Sequence, residues 1–185
     1  MFIETEGTPN PATLKFLPGR YVMEHGTADF ASPTSAERSP LATELFALTG
    51  VARVFLGGDF ITVTKTDDAS WQALKPQVLG AIMDHFVAGH PVIEGVGVAS
   101  DEDVAPEDAE IVAQIKELLD TRVRPAVAGD GGDIVFRGYR DGVVMLHMQG
   151  SCSGCPSSSA TLKHGIENML RHYVPEVVAV EQVPA

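Results

Sequence analysis

The chain has 185 residues, of which 44% are hydrophobic, and its formal net charge is −12 at pH 7. This charge disfavours nucleic acids and anionic membrane surfaces as partners, because both need clustered lysine and arginine side chains. No apolar run approaches the roughly 20 residues that a membrane-spanning helix requires. Two compact domains are favoured over one, because domains near 100 residues are common.

The cysteine usage and the first residues bear on the compartment. The only cysteines, Cys152 and Cys155, are three positions apart, whereas a secreted disulfide framework spreads its cysteines to close long loops. The segment Met1–Gly7 has neither the basic start and apolar core of a signal peptide nor an Arg-rich amphipathic pattern. We therefore expect a bacterial cytoplasmic protein, or a processed protein of the mitochondrial matrix, which would look the same.

Residues 1–94 are predicted to form a first α+β domain. Its predicted elements are, in chain order, a strand over Phe2–Glu6, a strand over Thr13–Leu17, a loop over 27–40, a helix from the N-cap Ser39 to Leu48, a hairpin of Val51–Leu56 with Phe60–Thr64, and a helix over Ser70–Ala88. The last helix has apolar residues at a steady four-residue spacing. The segment 95–106 is small and acidic, and it is interpreted as a linker, with an ordered loop as the alternative.

Residues 107–185 are predicted to form a second α+β domain, with helices on one face of a small sheet. Its predicted elements are a helix that begins at Pro106 and is stopped by Pro125, strands over Ile134–Tyr139 and Val143–Gln149 joined by a tight turn at Arg140–Gly142, a helix over Ser158–Tyr173, and a strand over Val177–Val183. The glycine-rich segment Gly129–Asp133 lacks the Lys-Ser/Thr of a phosphate-binding loop, so a tight helix-to-strand connection is predicted there.

The segment Gly150-Ser151-Cys152-Ser153-Gly154-Cys155-Pro156 follows a strand and precedes a helix. A two-residue spacer lets both sulfurs turn toward one centre, and the helix N-terminus favours thiolate over thiol. These features suit a metal or cluster site, and they also suit dithiol redox exchange. The redox alternative is less favoured, because a thioredoxin-like site needs a βαβ framework and no parallel crossover is predicted here.

The number of ligands bears on the kind of site. A tetrahedral zinc or a [4Fe–4S] cluster usually takes four soft ligands, and one chain supplies two thiolates. The six histidines show no paired metal spacing. A four-thiolate site therefore requires two chains, most simply a symmetric homodimer. The ligand count does not choose between zinc and an iron–sulfur cluster. His147, Lys163 and His164 are interpreted as packed or solvated residues rather than ligands.

The second half resembles the NifU C-terminal-like domain of Nfu-type proteins. The resemblance rests on Gly129–Asp133, on Gly150–Ser159 with the helix that follows, and on Val174–Val177. The first half is similar to the Nfu N-terminal domain through Thr8–Phe16 and the hairpin of Val51–Thr64.

This resemblance implies an iron–sulfur cluster assembly protein rather than an enzyme. It implies that Cys152 and Cys155 of two subunits hold a [4Fe–4S] cluster, which passes to apo client proteins, and that upstream assembly proteins are further partners. It implies no catalytic residue, and it gives the first domain a role in client or partner contacts. A zinc-stabilised dimeric interaction module and a dithiol oxidoreductase are the alternatives.

Overall fold

The computed structural model describes residues 1–94, 103–151 and 156–183. The chain divides into two compact units, Met1–Gly97 and Val98–Ala185, and each unit combines a sheet with helices. The predicted α+β fold class is therefore confirmed. Most of the predicted linker 95–106 lies outside the described residues, so the linker stays a prediction; its residues Asp103–Val104 form a short strand of the second sheet.

The first unit is a five-stranded antiparallel sheet with two helices. Its elements are β1 (Glu4–Gly7), β2 (Thr13–Leu17), β3 (Ala28–Phe30), α1 (Pro40–Phe46), β4 (Val51–Leu56), β5 (Ile61–Lys65) and α2 (Trp71–Ala88). The strand order is β1-β2-β5-β4-β3. The predicted four-residue spacing in α2 is confirmed, because Leu74, Val78 and Ile82 all lie in the core cluster.

The start of α1 follows the prediction, and the segment before it does not. The Ser39 hydroxyl accepts a hydrogen bond from the Ala42 N–H at 3.1 Å, as an N-cap residue does. The predicted loop 27–40 contains the edge strand β3, which pairs with β4. Three alternating residues in a stretch rich in Ser, Thr and Pro are too few to indicate a strand locally. The pairing with β4 supplies what the local pattern lacks.

The second unit is a four-stranded mixed sheet with three α-helices. Its elements are β6 (Asp103–Val104), α3 (Ala109–Leu118), α4 (Arg124–Gly129), β7 (Gly132–Arg140), β8 (Val143–Gly150), α5 (Pro156–Tyr173) and β9 (Ala179–Gln182). The strand order is β6-β7-β8-β9, and only the central pair is antiparallel. Across the described residues of both units, no helix combines the length and the apolar character that crossing a membrane requires.

One face of the second sheet carries the core of its unit. Val144, Leu146 and Met148 alternate along β8 and contact a cluster that includes Ile115 of α3 and Ile166 of α5. The predicted packing of helices on one sheet face is confirmed. Burial of these apolar side chains is worth about 1.5–3 kcal/mol each before conformational entropy is counted.

The first helix of this unit does not end at Pro125, contrary to the prediction. A wider π-helical turn, Leu119–Val123, joins α3 to α4, and the Arg124 N–H donates to the Leu119 carbonyl five residues back. A proline in a regular helix lacks one donor and clashes with the carbonyl four residues before it. The wide turn places Pro125 in the first turn of a new helix, where proline is tolerated.

The absence of a parallel crossover, expected from the sequence, is also wrong. β8 and β9 pair in parallel, and α5 connects them. A strand and a helix in this connection flank the cysteine segment. The topological argument against dithiol chemistry therefore has no support from the fold.

The turn between β7 and β8 gives the first testable prediction. Asp141 and Gly142 both have positive φ, at 52° and 81°, as a two-residue type I′ turn requires. A Cβ atom on Gly142 would lie 2.6 Å from Val178 Cγ2 and 2.9 Å from the Glu176 carbonyl oxygen. Gly142→Ala is expected to lower the free energy of unfolding by about 2–4 kcal/mol.

Gly165→Ala is the matched control, because a Cβ at this exposed position in α5 meets nothing within 4 Å. It is expected to raise stability by up to about 1 kcal/mol, since alanine favours a helix interior. Urea unfolding followed by far-ultraviolet circular dichroism measures both variants. Equal effects of the two substitutions would contradict the assignment of the turn.

Candidate functional site

Cys152 and Cys155, the predicted ligands, lie outside the described residues. The structure describes the two segments that hold them: β8 ends at Gly150 and is followed by Ser151, and α5 begins at Pro156. The predicted position of the cysteines between a strand and a helix thus agrees with both flanks. The remaining geometry of the site concerns the residues that fix these flanks.

Ser151 ties the start of the cysteine segment to the turn between α4 and β7. Its N–H donates to the Gly131 carbonyl at 3.2 Å, and its hydroxyl donates to the Asp130 carbonyl at 2.5 Å. Ser151 is buried, and the residue before it, Gly150, is paired with Gly132 across the sheet. The two hydrogen bonds of Ser151 and the strand pairing of Gly150 therefore set the position from which the chain enters the cysteine segment.

The glycine-rich segment Gly129–Asp133 is the tight helix-to-strand connection predicted from the sequence. Residues Asp130 and Gly131 alone separate α4 from β7. Gly131 has a φ of 81°, a backbone conformation that residues with a side chain rarely adopt. Because the Asp130 and Gly131 carbonyls face Ser151, this connection also forms the support of the cysteine segment, a role that the sequence pattern did not indicate.

A bidentate ion pair fixes α4 to the first residues of β7. Arg124 Nε and Nη2 donate to the two carboxylate oxygens of Asp133, both at 2.9 Å, and Nη1 donates to Asp120 at 3.1 Å. The hydrogen bonds to Asp133 raise the pKa of Arg124 above its already high ordinary value. The guanidinium therefore remains charged opposite a carboxylate that is nearly buried.

Sequence reasoning missed this pair. The signal available was an arginine ahead of an acidic, glycine-rich turn, but the nine-residue separation becomes a contact only because the π-helical turn changes the direction of Arg124. One extra residue in a helical turn rotates the later side chains by about 100°.

His147 contacts the segment that follows β9. Its Nδ1 lies 3.0 Å from the Val183 carbonyl, so it acts as the donor. Its Nε2 is buried and has no hydrogen-bond partner within the described ranges. Lys163 is half-buried and His164 is exposed on α5. The interpretation of His147 as packed, and of His164 as solvated, is confirmed.

The structure brings together two of the six histidines whose sequence spacing does not indicate a pair. His85 and His90 of the first unit lie together with Glu44, and one potential ligand atom from each residue lies within 4.8 Å of the others. Five positions along a regular helix do not share a face, so the sequence spacing gave no sign of this cluster.

Two family models match the chain, one in each unit. The model described as "Scaffold protein Nfu/NifU N terminal" matches residues 3–89, and the model described as "NifU-like domain" matches residues 115–181. The sheet and helices of each unit, with the cysteine segment between β8 and α5, thus define a two-unit protein of the NifU-like class.

Individual relatives extend this similarity over nearly the whole chain. The chain is 54% identical over 184 residues to the NFU1 iron-sulfur cluster scaffold homolog, mitochondrial, of Homo sapiens, covering 99% of this chain and 72% of that protein. It is 55% identical over 186 residues to NifU-like protein 4, mitochondrial, of Arabidopsis thaliana, covering 98% of this chain and 66% of that protein. The chain belongs to the Nfu family, as its resemblance predicted, and spans about two thirds of the length of such relatives.

A solved structure is also similar, over part of the chain. The solution structure of a NifU-like protein from Saccharomyces cerevisiae is 26% identical, covers 50% of this chain and 84% of that chain, and has a TM-score of 0.46. This likeness is too weak to carry an argument.

The Arg124–Asp133 pair gives the second prediction. Arg124→Lys replaces a planar bidentate donor by a point charge and leaves a buried carboxylate poorly matched. The free energy of unfolding is expected to fall by about 2 kcal/mol, measured by urea unfolding. Asp120→Asn is the control, because Asp120 is mostly exposed and its removal should change stability by less than about 0.5 kcal/mol. A larger loss in Asp120→Asn than in Arg124→Lys would refute this ranking.

Proposed function

We propose that this chain is an iron–sulfur cluster assembly protein that carries a [4Fe–4S] cluster between Cys152 and Cys155 of two subunits and transfers it to apo client proteins. The observation that carries the proposal is the 54% identity, over 99% of this chain, to a human protein named an iron-sulfur cluster scaffold homolog. The match of residues 3–89 to a family described as a scaffold protein supports it. The proposed role is a carrier's and not an enzyme's.

The number of thiolates supports a shared site. A [4Fe–4S] cluster usually takes four cysteine ligands, and the chain contains two cysteines. Two copies related by a two-fold axis supply the four with the fewest further assumptions, so the holo form is proposed to be a homodimer.

The described flanks suit a short loop that presents two thiolates. Ser151 donates hydrogen bonds to the Asp130 and Gly131 carbonyls, so contacts outside the cysteine segment set the point at which the chain enters it. α5 begins at the residue after Cys155, and the positive end of its dipole favours anionic sulfur there. Preorganisation of this kind lowers the entropic cost of binding.

Transfer is proposed to proceed by ligand exchange. A cluster held by two short loops where two subunits meet can be approached by a client thiolate, which replaces one carrier thiolate at a time. The exchange keeps the number of iron–sulfur bonds constant, so no step leaves an iron without its ligand. A site enclosed within one chain would resist such an approach.

The proposed partners are apo iron–sulfur clients and upstream assembly proteins, with the first unit assisting contacts to them. The division into domains 1–94 and 107–185 with a linker at 95–106 belongs to this proposal, because a linker lets the carrier domain reach clients. The expected bacterial cytoplasm has no support from the human and Arabidopsis thaliana relatives, whose names include the word mitochondrial. We therefore favour the alternative, a mitochondrial matrix protein.

The third prediction concerns the cargo. After anaerobic reconstitution, the protein is expected to absorb in the iron–sulfur charge-transfer region and to contain four iron and four sulfide per two chains, as one [4Fe–4S] cluster shared by two subunits requires. Cys152→Ser should abolish stable binding, whereas Ser153→Ala, which keeps both thiols, should not.

Two results would contradict this assignment. A colourless protein that holds only zinc would support a zinc-stabilised dimer. A catalytic dithiol–disulfide cycle without any cluster would support an oxidoreductase. The masses of the apo and holo forms, measured under native conditions, test the homodimer directly.

The fourth prediction concerns transfer. Cluster labelled with ⁵⁷Fe is expected to leave the holo protein faster as the concentration of an apo acceptor rises, because the acceptor takes part in the exchange. An iron chelator present throughout should capture little of the label. A rate of loss that does not depend on the acceptor, with the label found on the chelator, would show release before capture instead of ligand exchange.

A further inference from the structure

A second group of potential metal ligands lies in the first unit, where α2 ends. Glu44 Oε2 of α1 lies 3.2 Å from His85 Nδ1, and Glu44 Oε1 lies 3.7 Å from His90 Nδ1. The two oxygens of one carboxylate thus face two imidazoles. Among the described residues, this is the only group of three such side chains whose potential ligand atoms all lie within 4.8 Å of one another.

The backbone that ends α2 brings the two histidines together. Gly89 has a φ of 71°, its N–H donates to the Phe86 carbonyl at 3.3 Å, and the His90 N–H donates to the His85 carbonyl at 3.4 Å. These are the two hydrogen bonds of a Schellman motif. The motif brings the second residue after the helix, here His90, next to a residue of the last helical turn, here His85. That contact is usually apolar, and here it joins two imidazoles, whose ring centroids lie 5.6 Å apart.

Contacts on either side fix this arrangement. The segment after His90 runs back to the start of α1, where the Ser39 hydroxyl donates to the Val92 carbonyl at 2.6 Å and the Glu94 N–H donates to the Arg38 carbonyl at 2.7 Å. The helix that carries Glu44 and the segment that carries His90 are therefore held together independently of the three ligands.

The two histidines differ in their surroundings. The His85 side chain is fully buried, and its Nε2 has no hydrogen-bond partner in the described part of the chain. Its Nδ1 is turned toward Glu44. The His90 side chain is 57% exposed and that of Glu44 is 40% exposed. A buried imidazole opposite an exposed one, with a carboxylate between them, leaves the group open to solvent on one side only.

We propose that Glu44, His85 and His90 bind a divalent first-row transition metal ion. Two imidazole nitrogens and one carboxylate oxygen suit Zn²⁺ and the neighbouring ions of the series, whereas Mg²⁺ and Ca²⁺ prefer oxygen ligands alone. Three protein ligands leave a position for water on the exposed side. The site does not involve Cys152 or Cys155, so its test is independent of the proposed cluster site.

Calorimetric titration with Zn²⁺ tests the site in the full chain that carries Cys152→Ser and Cys155→Ser, so that no thiolate competes. One Zn²⁺ per chain is expected to bind. His90→Ala and Glu44→Gln change partly exposed side chains, so both variants should still fold. Each should weaken the affinity for Zn²⁺ by about tenfold or more. His25→Ala removes an exposed histidine of the same unit and should leave the affinity unchanged.

Thermal unfolding gives an independent measurement. Trp71, the only tryptophan, lies in the first unit, so its fluorescence follows the unit that holds the site. Excess Zn²⁺ should raise the midpoint in the parent chain and in His25→Ala, because a ligand that binds the native state stabilises it. It should raise it much less in His90→Ala. The absence of Zn²⁺ binding in the parent chain, or equal affinities in the parent and His90→Ala, would overturn the proposal and leave Glu44 as a hydrogen-bond acceptor only.

Discussion

Gly132 pairs with Gly150 at the open end of the hairpin of β7 and β8, opposite its turn. Ser151, the next residue, adds hydrogen bonds to Asp130 and Gly131. The proposed cysteine site depends on these contacts, because they set the position at which the chain leaves the sheet. The hairpin itself is held on one side by the hydrophobic cluster of the unit and at its far end by a two-residue turn.

The Arg124–Asp133 ion pair joins α4 to the start of β7, next to the contacts of Ser151. A bidentate guanidinium–carboxylate contact fixes direction as well as distance, so α4 is held in both position and rotation relative to β7. Its energy matters less than its geometry, since part of the guanidinium stays in water. The same π-helical turn that accommodates Pro125 precedes Arg124, so a local irregularity in one helix is linked to a contact at the start of β7.

The sequence predicts those features that depend on neighbours along the chain. Turn residues such as Asp141-Gly142, the cap at Ser39 and the spacing of apolar residues in α2 each act within a few positions, and each was recovered. The fold class and the place of Cys152 and Cys155 between a strand and a helix follow from the same local patterns. The compartment does not, because absent targeting features fit both a cytoplasmic and a processed protein.

Several of the features that were missed depend on distant segments, and others on local irregularities of a helix. The edge strand β3 exists because β4 is available to pair with it, and the parallel pairing of β8 with β9 joins strands on either side of a whole helix. The contact of Arg124 with Asp133 requires a change of helical phase that no residue pattern announces. Glu44 and His85 lie on different helices, and only the packing of those helices brings them together.

The end of α2 has a consequence beyond this protein. In a Schellman motif the geometry of the backbone, and not the packing of the surroundings, brings the two flanking side chains into contact. Side chains at the positions equivalent to His85 and His90 are therefore neighbours in helices that end in this way. A carboxylate on an adjacent helix, as Glu44 is here, then completes the group.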